Sequence, residues 1–134
     1  VTSPEIDDPD AFVNQLAQYI ADRRITVEVC LTSNLQTMPD IKDIREHAFG
    51  KMLDARLSVT LCTDNRLVSN TTVCDEIELA LQNFSISPRQ LRNVMVYGFK
   101  RSFFPGSYLE KRNYVRQVID YYEEIADEFE IPSD

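Results

Sequence analysis

Ile25-Thr26-Val27-Glu28-Val29-Cys30-Leu31 and Leu57-Ser58-Val59-Thr60-Leu61-Cys62-Thr63 are the two β-rich runs of this chain. Each is short, rich in β-branched residues, and bounded by polar loop or turn residues, which reads as a strand. A helix is expected before the first, over about Asp10 to Arg23, with Pro9 in its first turn and Asp8 as its cap. A second is expected between them, at about Ile41 to Ala55, with Ile44, Ala48, Met52 and Leu53 turned inward. Helix, strand, helix, strand is the order that gives parallel strands with helical crossovers. Two parallel strands are too few, because a parallel sheet is covered on both faces and two strands leave edges and apolar surface unsatisfied. The expectation is therefore one partial domain over residues 1–134. The rest of its sheet or barrel would come from sequence before Val1 or from another chain.

The expected first helix carries Phe12, Val13, Leu16, Ala17 and Ile20 at helical spacing. Thr32 to Asp40, with Pro39, reads as a polar loop. Beyond the second strand the pattern is helical. Val73, Ile77, Ala80, Leu81 and Phe84 make one apolar face. Ser87-Pro88-Arg89-Gln90 is a capping box with proline at the first helical position, and it opens a helix bearing Leu91, Val94, Met95 and Phe99. Ser107 and Glu110 repeat that spacing and open a last helix through Val115, Ile119, Tyr122 and Ile125. Phe103, Phe104, Tyr108, Tyr121 and Tyr122 are expected to pack between outer helices, some of them being exposed on an incomplete barrel.

Composition narrows the functional classes. The 134 residues carry a net charge of −8. That argues against nucleic acid and against an anionic membrane surface, both of which need clustered Lys and Arg. No apolar run approaches the ~20 residues that span a bilayer. The acidic, proline-bearing N-terminus from Val1 to Asp10 does not read as a signal peptide. The acidic tail, Asp120, Glu123, Glu124, Asp127, Glu128 and Glu130, reads as a solvated helix face. Cys30, Cys62 and Cys74 are odd in number and widely spaced, so they are neither a disulfide framework nor a thiolate zinc site. Cys30 and Cys62 are expected as buried thiols in a reducing, cytoplasmic setting.

The one histidine, His47, falls inside the expected second helix with no nucleophile nearby. Three glycines form no phosphate loop. Chemistry is left to the C-terminal ends of the strands, where parallel α/β folds place functional side chains. The first strand ends in Thr32-Ser33-Asn34 and the second in Asp64-Asn65-Arg66. Pattern favours a plain turn at Asp64-Asn65 over a working carboxylate. Ser33 and Asn34 read either as strand terminators or as a pocket rim. Arg66 reads either as a partner of Asp64 or as a solvent-facing cation.

The wording of these strand ends changes the balance. Val27-Glu28-Val29-Cys30-Leu31-Thr32-Ser33-Asn34 is similar to the segment closing strand seven of adenosine deaminases. Val59-Thr60-Leu61-Cys62-Thr63-Asp64-Asn65-Arg66-Leu67 resembles their segment at strand eight. The spacing between the two also matches, as do the intervening helix with His47 and Lys51-Met52-Leu53, and the run through Lys100 to Phe104. The resemblance covers about Ile25 to Tyr122. It implies the C-terminal part of a (β/α)8 TIM-type barrel: strands seven and eight plus the closing helices, incomplete on its own. It also implies one catalytic zinc and hydrolytic deamination of adenosine to inosine and ammonia. By that resemblance Asp64 is a zinc ligand and catalytic residue. Asn65 stands where many members have a second aspartate that contacts the purine; an amide both donates and accepts, whereas a carboxylate only accepts.

The family's H-x-H segment, third zinc histidine, glutamate acid and catalytic histidine have no match here. His47 matches the intervening helix and does not replace them. The chain alone is therefore expected to be inactive, with a purine nucleoside as substrate only of the completed enzyme. The missing N-terminal barrel portion is its expected partner, and oligomerisation or strand exchange between copies is a further expectation. Two alternatives stand beside this: a non-catalytic truncated homologue or assembly module, and an aminohydrolase acting on another aminopurine.

Overall fold

The computed structural model describes residues 7–132; the first part of the acidic N-terminal run lies outside them. α1 spans Pro9–Asp22, and the Asp8 side chain accepts from Ala11 N–H at 3.0 Å, satisfying one open donor of the first turn. β1 is Thr26–Val29 and β2 is Ser58–Leu61, paired in parallel with Thr26 opposite Ser58 and Val29 opposite Leu61. Among the described residues these are the two strands of the sheet. The parallel pairing, the crossover and both strand positions agree with the sequence pattern.

Alternation along the strands sorts their side chains onto two unlike faces. Val27, Val29, Val59 and Leu61 share one face and join a core with Leu31, Ile44, Phe49, Leu53, Ala80 and Val94. The other face carries Thr26, Glu28 and Cys30 opposite Ser58, Thr60 and Cys62. It is polar enough that the Thr26 and Ser58 hydroxyls hydrogen-bond each other at 2.9 Å. The apolar face packs against the core residues of the helices, while on the other face Thr60 is buried and Glu28 exposed. Cys30 and Cys62 lie on the polar face and are half-buried free thiols, short of the full burial expected from their apolar runs.

Two stretches depart from expectation. Leu31–Thr37, where the sequence pattern gives a strand end at Leu31 and a polar loop from Thr32, is helical and forms α2. Leu31 is fully buried at its first position, and Thr37 Oγ1 donates back to the Ser33 carbonyl at 2.9 Å. The single helix expected over Ile41 to Ala55 is instead a 3-10 turn, Ile44–Glu46, followed by α3, Phe49–Asp54. Local side-chain bonds win over propagation here. Asp43 accepts from Arg45 N–H, and the ring Nδ1 of His47 accepts from Phe49 N–H at 3.0 Å. His47 is thus a buried residue in extended conformation between two short helices, not a mid-helix residue.

After β2 come α4, Arg66–Ser69, and α5, Val73–Asn83; then α6, Pro88–Arg101, and α7, Tyr108–Glu128. Both capping boxes form as read, with Ser87 and Gln90 opening α6 and Ser107 and Glu110 opening α7. Gly98 lets α6 approach β2 closely, since a Cβ there would lie 2.8 Å from Thr60 Oγ1. Phe99 and Phe104 pack against Tyr114 between α6 and α7, and Arg92 pairs with Glu123. Phe103, Tyr108 and Tyr121 are exposed, as some aromatic residues of an incomplete barrel were expected to be. Among the described residues, no helix is long and apolar enough to cross a membrane.

Candidate functional site at the two strand ends

Pairing brings the C-terminal ends of β1 and β2 together. The Cys62 N–H donates to the Val29 carbonyl at 2.9 Å, extending the ladder one residue past the strand. Two residues on, Asp64 turns the chain with φ 55°. Left-handed backbone of this kind is uncommon outside glycine, and Asp and Asn tolerate it best. The turn is therefore real, and it also carries the carboxylate: Ser33 Oγ, on the first turn of α2, donates to Asp64 Oδ2 at 2.9 Å. Asp64 is exposed and Ser33 half-buried, so the carboxylate has room for further partners.

Asn65 is the N-cap of α4. Its Oδ1 accepts from Leu67 N–H and Val68 N–H, each at 3.2 Å. The carbonyl half of the amide is occupied by the helix, while its NH2 half, on an exposed residue, is a donor group only. Asn34 does not join Asp64; its side chain donates to Met38 Sδ at 3.2 Å. Arg66 does not pair with Asp64 among the described ion pairs.

Cys30 sits beside this mouth. Burial, and after it the negative charge of Asp64, pushes its thiol above the usual range. Burial likewise pushes Cys62 up to about 11, with Glu28 adding to it. Both are protonated at neutral pH, and neither is a nucleophile or a ready metal ligand in that state. Among the described residues no group of three or more His, Cys, Asp and Glu side chains stands together. A catalytic zinc takes three protein ligands. The described residues therefore do not by themselves fit that ion, and Asp64 is at most one member of a larger donor set.

The sequence offers Ser33 as a rim candidate but gives no reading of Glu76. Ser33 meets Asp64 because α2 forms where polar composition predicts a loop. Glu76 bonds Thr32 and Thr71, contacts that the sequence pattern does not suggest. Its spacing was the available signal, since it lies three residues after Val73 and four before Ala80, on the apolar stripe of α5.

The adenosine deaminase family model matches residues 5–121. The adenosine deaminase of Mycobacterium sp. (strain JLS) is 36% identical over 99 residues, 72% of this chain but 27% of its own length. That of Mycobacterium ulcerans is 30% identical over 112 residues, 84% of this chain and 30% of its own. A probable adenosine deaminase of Dictyostelium discoideum is 34% identical over 89 residues, 66% of this chain and 11% of that protein. The chain thus spans between a tenth and a third of these relatives. Among solved structures, an adenine deaminase from Arthrobacter aurescens superposes with a TM-score of 0.68 at 19% identity, over 87% of this chain and 33% of that one. That likeness concerns the fold, which is helix-rich α/β and part of a barrel. With a family match across most of its length, the chain belongs to the adenosine deaminase family.

Proposed function

We propose that residues 1–134 form a single partial domain, the C-terminal portion of a zinc-dependent adenosine deaminase. The completed barrel hydrolyses adenosine to inosine and ammonia. One observation carries the reading: the Ser33 hydroxyl holds the Asp64 carboxylate at the shared mouth of two parallel strands, beyond the polar face of their sheet. In this reading Asp64 is a metal ligand and catalytic residue. Its carboxylate is oriented by Ser33, and its left-handed backbone sets the angle at which it leaves the strand. Asn65 contacts the purine through its NH2 group while its carbonyl fixes the start of α4. Zinc, when bound, supplies Lewis-acid activation of water; its remaining ligands come from the missing barrel portion. That portion is the chain's partner, and no nucleic acid or membrane is involved. Three free thiols support a cytoplasmic protein.

The test compares the purified chain with the full-length protein. Adenosine, adenine and other aminopurines are assayed by ammonia release, with zinc content measured in parallel. The chain alone is expected to show neither deamination nor tight zinc binding, and the full-length protein to prefer adenosine. Deamination by the chain alone would overturn the division of the site. Preference for another aminopurine would move the substrate, and a full-length protein inactive on all of them would leave an assembly role.

A further inference from the structure

Glu76 is fully buried, in the first turns of α5, where the neighbouring face is Ile77 and Ala80. A carboxylate in such a place costs desolvation that an apolar side chain would avoid. Helix formation does not explain it, because the Thr72–Asp75 capping box already closes that end of α5. Its bonds do. Oε2 accepts from Thr32 N–H at 3.2 Å, and Oε1 accepts from Thr71 Oγ1 at 3.0 Å. Thr32 is the second residue of α2, just past β1, and Thr71 lies in the corner between α4 and α5, past β2. One side chain therefore spans the segments that follow the two strands. Gln36 Nε2 also donates to the Ser69 carbonyl at the end of α4, a long bond at 3.4 Å.

We infer that Glu76 is a positioning residue for Asp64. By tying Thr32 to Thr71 it fixes the first turn of α2 against the β2 side, and so sets where the next residue, Ser33, meets the Asp64 carboxylate. The inference rests on the reading of Asp64 as the working carboxylate. Its consequence for α2 does not depend on that reading.

Glu76→Met in the full-length protein keeps much of the size but removes both acceptors, so neither Thr32 N–H nor the Thr71 hydroxyl keeps its partner at this position. Hydrogen exchange followed by mass spectrometry is expected to rise about tenfold across residues 31–37, with α6 and α7 unchanged. In the same variant kcat is expected to fall roughly tenfold or more, with KM within about twofold, as for other residues that orient a ligand from outside. Thr71→Val should reproduce part of both effects and Thr71→Ser should restore them, and this pair decides the matter if Glu76→Met fails to fold. Unchanged exchange over residues 31–37 would overturn the inference. So would a rise spread over every helix, or an unchanged kcat in a variant whose α2 has loosened. Should the wild-type protein not deaminate, the proposed function fails, and the exchange result alone decides whether Glu76 pins α2.

Discussion

Asp64 combines two demands that are usually met by different residues. Its φ of 55° asks for glycine, asparagine or aspartate, while its bond from Ser33 asks for an acceptor at the strand mouth. This separates folding from function experimentally. Asp64→Asn keeps a residue that tolerates left-handed backbone, and it keeps an Oδ1 for the Ser33 hydroxyl, but it removes the negative charge. In the full-length protein it is expected to melt within about 2 °C of wild type while losing roughly 100-fold or more in kcat. Asp64→Val is expected to cost about 1–3 kcal/mol as well, because a β-branched residue is strained at that φ. Thermal melts and steady-state kinetics on both variants check the pair. An active Asp64→Asn protein would reduce Asp64 to the turn residue that pattern alone favoured.

The elements were legible where the sequence repeats a period or carries a cap, and illegible where side chains bond locally. Pro9, Ser87 and Ser107 marked true helix starts because each satisfies, or has no need of, an open N–H. The strands were readable from Val27, Val29, Val59 and Leu61, whose alternation the pleat requires. Of the site, Asp64 and Asn65 were named from the words around them, but Ser33 and Glu76 act through contacts 31 and 44 residues away in sequence, which no local pattern encodes. The break at His47 is the other kind of miss, since imidazole capping has no periodic signature. It has a testable consequence. Burial lowers the His47 pKa below its ordinary 6.5, and accepting from Phe49 N–H requires an unprotonated Nδ1. The unfolded chain takes up this proton more readily than the folded one. The stability contributed above pH 6.5 is therefore lost as pH falls through the lower folded value. His47→Asn supplies a non-titrating acceptor, so its melting temperature should fall less than that of wild type between about pH 7.5 and 5.5. Equal slopes in melts across that range would show that the imidazole does not control this junction.

At the scale of the molecule, the core is one-sided. Helices cover the apolar face of the sheet, while large apolar side chains stand exposed elsewhere. Phe12, Leu16 and Tyr19 lie along α1, Leu67 and Val68 on α4, and Phe103, Tyr108 and Tyr121 toward the C-terminal end. Leu67 is 93% exposed within a four-residue helix, where nothing local rewards an apolar residue. In the proposed full-length barrel such faces have neighbours. In the isolated chain they face water, and exposed apolar surface of this kind favours association. The net charge of −8 opposes it by repulsion between copies. The two effects differ in their response to salt, because the Debye length shrinks from about 30 Å at 0.01 M to about 10 Å at 0.1 M, weakening the repulsion and leaving the apolar term in place. The isolated chain is accordingly expected to self-associate in a concentration-dependent way that grows stronger with added salt. Sedimentation velocity from low to high micromolar concentration, at low and moderate ionic strength, reads this directly. A chain that stays monomeric throughout, and binds no hydrophobic dye, would mean that its exposed apolar residues are too dispersed to act as a surface.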